Sequence, residues 1–157
     1  MRPDQLQELR ALLDRRRVLS LAVVADSQPV IGLLPFACMP DYRALVVHAS
    51  RLARHTRGLT PGSSFDVLIH EPEDGADAMQ VKRVTLRGVV GPVERDSGAY
   101  AVVRQRFLER FPEAESITEL GDFSFYVLLI HAGRLVTGFA GAANVTQDAL
   151  SQLASMG

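Results

Sequence analysis

The chain has one cysteine, almost no net charge and no apolar run long enough to cross a bilayer. A lone Cys38 rules out an internal disulfide and a cysteine-based metal site, and it fits a reducing compartment. The longest apolar runs, such as residues 125–130, are strand-sized against the ~20 residues that a spanning helix needs. The amino-terminal MRPDQLQELRALLDRRR sets charges where a secretory signal requires an apolar stretch, so a cytoplasmic protein with no membrane partner is expected. A formal net charge of −1, with 22% charged and 47% hydrophobic residues, is the profile of an ordinary globular protein and not of a nucleic-acid binder. Local charge must then carry any anion recognition. Repeats, low-complexity segments and shifts of composition are missing too, so one domain over residues 1–157 is expected.

What is present alternates between two periods. Asp4 followed by Gln7 has the form of a capping box, and Leu6, Leu9, Leu12 and Leu13 make one apolar stripe, which predicts an amphipathic helix over 5–16. From Val18 the pattern turns to β-branched and aliphatic runs. Strands are expected at 18–25, 30–39, 44–48, 64–70 and 81–93, with DSQP (26–29) and PDYR (40–43) as turns. Pro35 cannot donate to a ladder, so the second strand is expected to bulge or to lie at an edge there. Tyr100, Val103, Phe107 and Phe111 define a second helix over 98–111, stopped at Pro112. A sixth strand at 123–131, a turn at Ala132-Gly133-Arg134, a return strand at 135–139 and a short helix capped by Thr146 complete the reading. Connections this short suit antiparallel neighbours, so the expected fold is mainly β with flanking α-helices, closed as an antiparallel barrel.

The stretch VVHASRLARHTRGL (46–59) is the leading functional candidate. It runs from strand-like residues into a basic segment in which Ser50 is placed to cap a helix, with Arg51, Arg54 and His55 at i, i+3 and i+4 on one face. A capping hydroxyl, free N–H groups and two or three basic side chains suit a phosphate dianion, although a capped, solvated surface helix has the same pattern. Other constellations are weaker. Residues 71–80 are acidic without the spacing of an EF-hand loop, and the four histidines lack ligand spacing, so no metal site is expected. No GxSxG positions a serine nucleophile, Asp122 reads as a turn residue ahead of a strand, and Cys38 as a small buried apolar residue.

Five segments, VLSLAVVADSQPVIGLLPFA (18–37), SRLARHTRGL (50–59), RVTLRGVV (83–90), RFLERFPEAE (106–115) and LGDFSFYVLLIHAGRLVTGFAGA (120–142), stand in the order of a known family. The chain resembles the pyridoxamine 5′-phosphate oxidase-like FMN-binding split barrels, in the branch that includes haem-utilisation proteins. The resemblance implies a Greek-key split barrel that forms a homodimer with FMN at the subunit interface. It implies flavin-edge contacts from the second strand around Leu34, Pro35, Phe36 and Ala37, Phe36 being equally explicable as core. It also implies ribityl and phosphate contacts from His48, Ala49, Ser50 and Arg51, a motif role for His55, and a flavin contact from Arg83, where a surface ion pair is the alternative. Arg54 rests on helical spacing alone.

Leu52 stands where the oxidases carry a second basic residue, and the chain has no Trp for the oxidases' carboxy-terminal signature, so pyridoxamine phosphate oxidation is not expected. The sequence ends at Gly157 without the further domain and histidine-bearing tail of the longer haem-utilisation proteins, which argues against haem degradation. The functional expectation is an FMN-dependent oxidoreductase acting on a small substrate or electron acceptor. The alternatives are a haem-handling protein with His48 or His131 as axial ligand, and a non-catalytic flavin-binding dimer.

Overall fold

A computed structural model describes residues 1–157. Helix α1 (Pro3–Arg15) starts two residues earlier than the capping box suggested: Pro3 occupies its first turn, and Gln5 Oε1 accepts from the Arg2 N–H at 3.0 Å. Strands β1 (Val18–Ala25) and β2 (Gln28–Cys38) form a hairpin whose turn is only Asp26 and Ser27, both with positive φ (52° and 62°). That backbone twist matches paired strands, so Gln28 and Pro29 belong to β2 and not to the turn. β3 (Ala44–Ser50), β4 (Ser64–His70), β5 (Arg83–Gly91) and β6 (Phe123–Val136) follow, and β7 (Ala142–Val145) ends the sheet.

The strands lie in the order β3-β2-β1-β4-β5-β6-β7, and β3 also pairs with β6, which closes the first six into an antiparallel barrel with β7 as an extension. Pro35 sits where the split occurs. Its neighbour Phe36 donates to Arg17 O, so the Pro35 nitrogen faces the opposite edge, and pairing with β3 on that edge begins only at Phe36. The missing donor thus breaks no ladder bond.

The far end of the barrel corrects the expected turn at 132–134 and the return strand at 135–139. β6 runs straight through to Val136, and the turn falls at 137–141, where Gly138 has φ 140° and Thr137 N–H donates to Gly141 O at 2.8 Å. Gly133 is a glycine for a different reason: a Cβ there would lie 2.4 Å from Thr85 O and 2.7 Å from Leu86 Cδ2.

Two apolar clusters hold the fold. The larger fills the barrel and includes Leu9, Leu12 and Leu13 of α1 with Leu150 and Leu153 of α4 (Gln147–Ser155). Each such leucine contributes roughly 1.5–3 kcal/mol by leaving water. The smaller lies outside the barrel, where α2 (Gly98–Arg110) lays Tyr100, Val103 and Phe107 over Val46, Phe125 and Val127 of β3 and β6. β3 is therefore covered on both faces, which explains its continuous apolar sequence.

Candidate functional site

The basic stretch does not fold as the spacing predicts. Ser50 remains in β3, paired with Phe123, because two further ladder positions bind it to β6. The helical segment after it is a 3₁₀ turn at Arg54–Gly58, capped by Ala53, so Ser50 caps no helix and Arg51, Arg54 and His55 share no helical face. The Ser50 hydroxyl accepts from Leu52 N–H at 3.1 Å, the Ser50 carbonyl accepts from the Thr56 hydroxyl at 2.5 Å, and Arg51 N–H donates to Asp122 O at 2.6 Å. What survives of the anion site is two exposed guanidinium groups, Arg51 and Arg54, beside a fixed loop with Leu52 84% exposed between them.

His55 turns inward. Its ring occupies the space above Gly32 so closely that a Cβ on Gly32 would lie 2.4 Å from Nδ1, and its Nε2 is buried without a hydrogen-bond partner. Burial lowers its pKa. The motif histidine is thus a plug over the split edge of β2, seated on a glycine that exists to admit it. Phe36 is fully buried in the larger cluster and Ala49 is buried beside it, so these two present only backbone; Pro35 is exposed.

His48 is held in the smaller cluster. Its ring stacks on Phe123 at 5.1 Å and touches Phe125 at 4.6 Å and Phe107 at 5.7 Å; only 8% of the residue is exposed, and Nε2 has no partner. Desolvation, with Arg95 adding to it, pushes its pKa down to about 4. A ring enclosed by three phenylalanines under α2 has no open face for a macrocycle, so the axial-ligand alternative at His48 does not hold.

Arg83 is remote from Ser50 and Arg51. Ser50 pairs with the first residue of β6 and Arg83 with the last, a separation of roughly 40 Å along the strand at ~3.3 Å per residue before curvature shortens it. The guanidinium donates to Val81 O at 2.9 Å and more weakly to Met79 O at 3.4 Å. One chain therefore does not bring Arg51 and Arg83 to one small ligand.

The outer face of β2-β1-β4-β5-β6-β7 carries residues that sequence reasoning missed. Strand register aligns them in rows: Ile31, Ala22, Asp66, Arg87 and Ala132 in one, and Leu33, Ser20, Leu68, Thr85, Arg134 and Asn144 in the next. The β2 and β1 end is apolar, with Ile31 76%, Leu33 68% and Val24 65% exposed; the β5 and β6 end is cationic. A hollow of about 310 Å³ over Ala22, Ile31 and Leu68 adjoins, through Thr85 and Arg87, a groove of about 490 Å³ beside His131 and Arg134. The signal was legible in part, since VIGLL in β2 is apolar at both parities, which a strand covered on one face alone does not need.

No family model matches the sequence. The chain is 32% identical over 146 residues to the haem oxygenase HutZ of Vibrio cholerae, a match covering 91% of this chain and 82% of that protein. Among solved structures, a haem-binding protein from Mycobacterium smegmatis superposes with a TM-score of 0.81 at 26% identity; the match takes in 97% of this chain and spans only 62% of the mycobacterial protein. The structure of Vibrio cholerae HutZ, described as a haem storage protein, gives a TM-score of 0.68 at 27% identity, over 91% of this chain and 94% of that one. With this barrel and these relatives, the chain belongs to the haem-utilisation branch of the pyridoxamine 5′-phosphate oxidase-like split-barrel family.

Proposed function

We propose that this is a haem-handling protein, binding haem at a cleft completed by a second copy of the chain. The observation that carries the reading is the match of 91% of the chain to a haem oxygenase, and it places haem ahead of the flavin-dependent oxidoreductase expected first. The outer sheet face supports it physically. Haem is an apolar plate with two carboxylates on one edge, and this face sets exposed aliphatic rows beside Arg87 and Arg134. The second copy is supported by the same aliphatic rows, which a monomer leaves in water.

FMN is the second reading, favoured by the two exposed guanidinium groups Arg51 and Arg54 beside Ser50, with Pro35, His55 and Arg83 as the further contacts that the family resemblance implies. Titration of the purified protein with ferric haem should give a Soret band that saturates at one equivalent per chain, and light scattering should give the mass of two chains. If haem produces no Soret change while FMN raises the melting temperature, the haem reading fails and Arg51→Ala becomes the variant to weaken binding.

A further inference from the structure

We propose that the groove over β5, β6 and β7 binds a phosphate group, free or carried by a small molecule, with Arg134 and Arg87 as its cations. The site goes beyond the haem reading and does not depend on it. Thr85, Arg87, His131, Arg134, Asn144 and Thr146 give the wall hydrogen-bond donors and two fixed positive charges. No carboxylate lines it, although acids outnumber lysines and arginines in the chain by 18 to 17. A polar, cationic wall of this kind suits a hydrated oxyanion and not an apolar plate.

Strand register builds that wall. Thr85 on β5, Arg134 on β6 and Asn144 on β7 stand side by side in one row of the outer face. Arg134 Nη1 donates to Asn144 Oδ1 at 2.8 Å, which orients the guanidinium, and because the amide is neutral the charge stays uncompensated. In the next row Arg87 pairs with Ala132 but Gly88 pairs with Ile130, so His131 is the extra residue of a β-bulge. Gly88 admits the bulge, since a Cβ there would meet Leu129 O at 1.7 Å. His131 and Ala132 are therefore both exposed, and the imidazole joins the groove wall instead of the core.

Helix α4 bounds the groove with its amino-terminal end. Thr146 caps this nine-residue helix, accepting from Ala149 N–H at 3.2 Å, and Gln147 fixes the bulge by donating to the carbonyls of Ile130 and His131 at 2.7 and 2.9 Å. The positive end of the helix dipole thus adds to the two guanidinium groups. The neighbouring acids do not cancel them. Asp66 stands 3.5 Å from Arg87 in a weak, exposed pair that a phosphate can replace, and Asp148 accepts from Gln152 Nε2 at 3.0 Å. At about 490 Å³ the groove has room for a phosphate and a small group attached to it.

Arg87 and Arg134 are shared with the haem reading, so the test uses the full-length protein without haem, in phosphate-free buffer. Titration with inorganic phosphate, followed by amide NMR, should saturate, with the largest shifts at residues 131–134 and 144–148. A parallel titration with glycerol phosphate separates the two sources: tighter binding than inorganic phosphate points to a phosphorylated molecule, weaker binding to the free ion. Arg134→Gln should weaken phosphate at least tenfold and Arg87→Gln severalfold, with the circular dichroism of the fold unchanged, while Arg15→Ala on α1 should have no effect. Shifts centred on Arg51 and Arg54, no saturation with either probe, or wild-type affinity in Arg134→Gln each overturn the site and leave the haem reading standing. A protein that binds phosphate in this way and gives no Soret band with haem leaves the phosphate site standing alone.

Discussion

At the scale of single residues, Gly32 and His55 act as one unit. Because the imidazole occupies the position of a Cβ on Gly32, Gly32→Ala forces it out, and overpacking of this kind costs roughly 1–3 kcal/mol. In a His55→Ala background the same substitution should be near neutral, and urea unfolding of the four proteins of this cycle measures the coupling; additive losses would show that the two do not touch. His48 predicts a pH dependence. Its folded pKa of about 4 lies below the ordinary 6.5, so between these values the unfolded chain takes up a proton that the folded chain does not. Its contribution to stability is complete above pH 6.5 and is lost as pH falls toward 4, amounting to at most about 3.5 kcal/mol from ~1.4 kcal/mol per pKa unit. His48→Phe should flatten that part of the stability profile, and an unchanged profile would place the ring outside the phenylalanine cluster.

Among elements, α2 is the one whose placement controls the smaller core. Its start is set by Ser97, whose hydroxyl accepts from Tyr100 N–H at 3.1 Å, and Ser97→Ala should cost about 1 kcal/mol in thermal or urea unfolding. Phe107, wedged between Phe111 and Phe125 at centroid distances of 4.9 and 5.3 Å, should cost roughly 3–5 kcal/mol as Phe107→Ala, through lost burial and the cavity left behind. Arg110 joins this helix to α1: its guanidinium donates to the carbonyls of Leu13, Asp14 and Arg16 and lies 4.9 Å from the Phe36 ring centre. The exposed ion pairs, by contrast, are worth little. Arg2 with Asp4 and Arg57 with Asp26 are both well solvated, and their removal should leave the unfolding midpoint unchanged.

For the whole molecule, the open outer face is the feature with consequences. Ile31→Asp places a carboxylate in the centre of the exposed aliphatic rows without touching the barrel interior. It should leave the circular dichroism of the fold unchanged and convert the proposed dimer to monomers in sedimentation. A variant that stays dimeric would move the interface elsewhere. No helix is long and apolar enough to cross a membrane.

Much of the fold was readable in the chain because local patterns carry it. Five of the strands were placed to within two or three residues at each end, and both long helices nearly as well, since periods of 2 and 3.6 are properties of neighbouring residues. Thr146 caps α4 as its sequence announces, accepting from Ala149 N–H at 3.2 Å. Antiparallel closure also followed from short connections. What failed was whatever a distant strand decides. Ser50 looked like a helix cap until pairing with Phe123 kept it in β3, and Gly133 looked like a turn until the close approach of Thr85 and Leu86 explained its missing side chain. His55 was placed by spacing on one face with Arg51 and Arg54, and its ring instead lies over Gly32, a contact that exists only once the barrel is folded. Sequence period determined the elements of this protein and their order; which side chains meet one another, and so where a ligand can be held, depended on strand pairing between residues far apart in the chain, which no local pattern encodes.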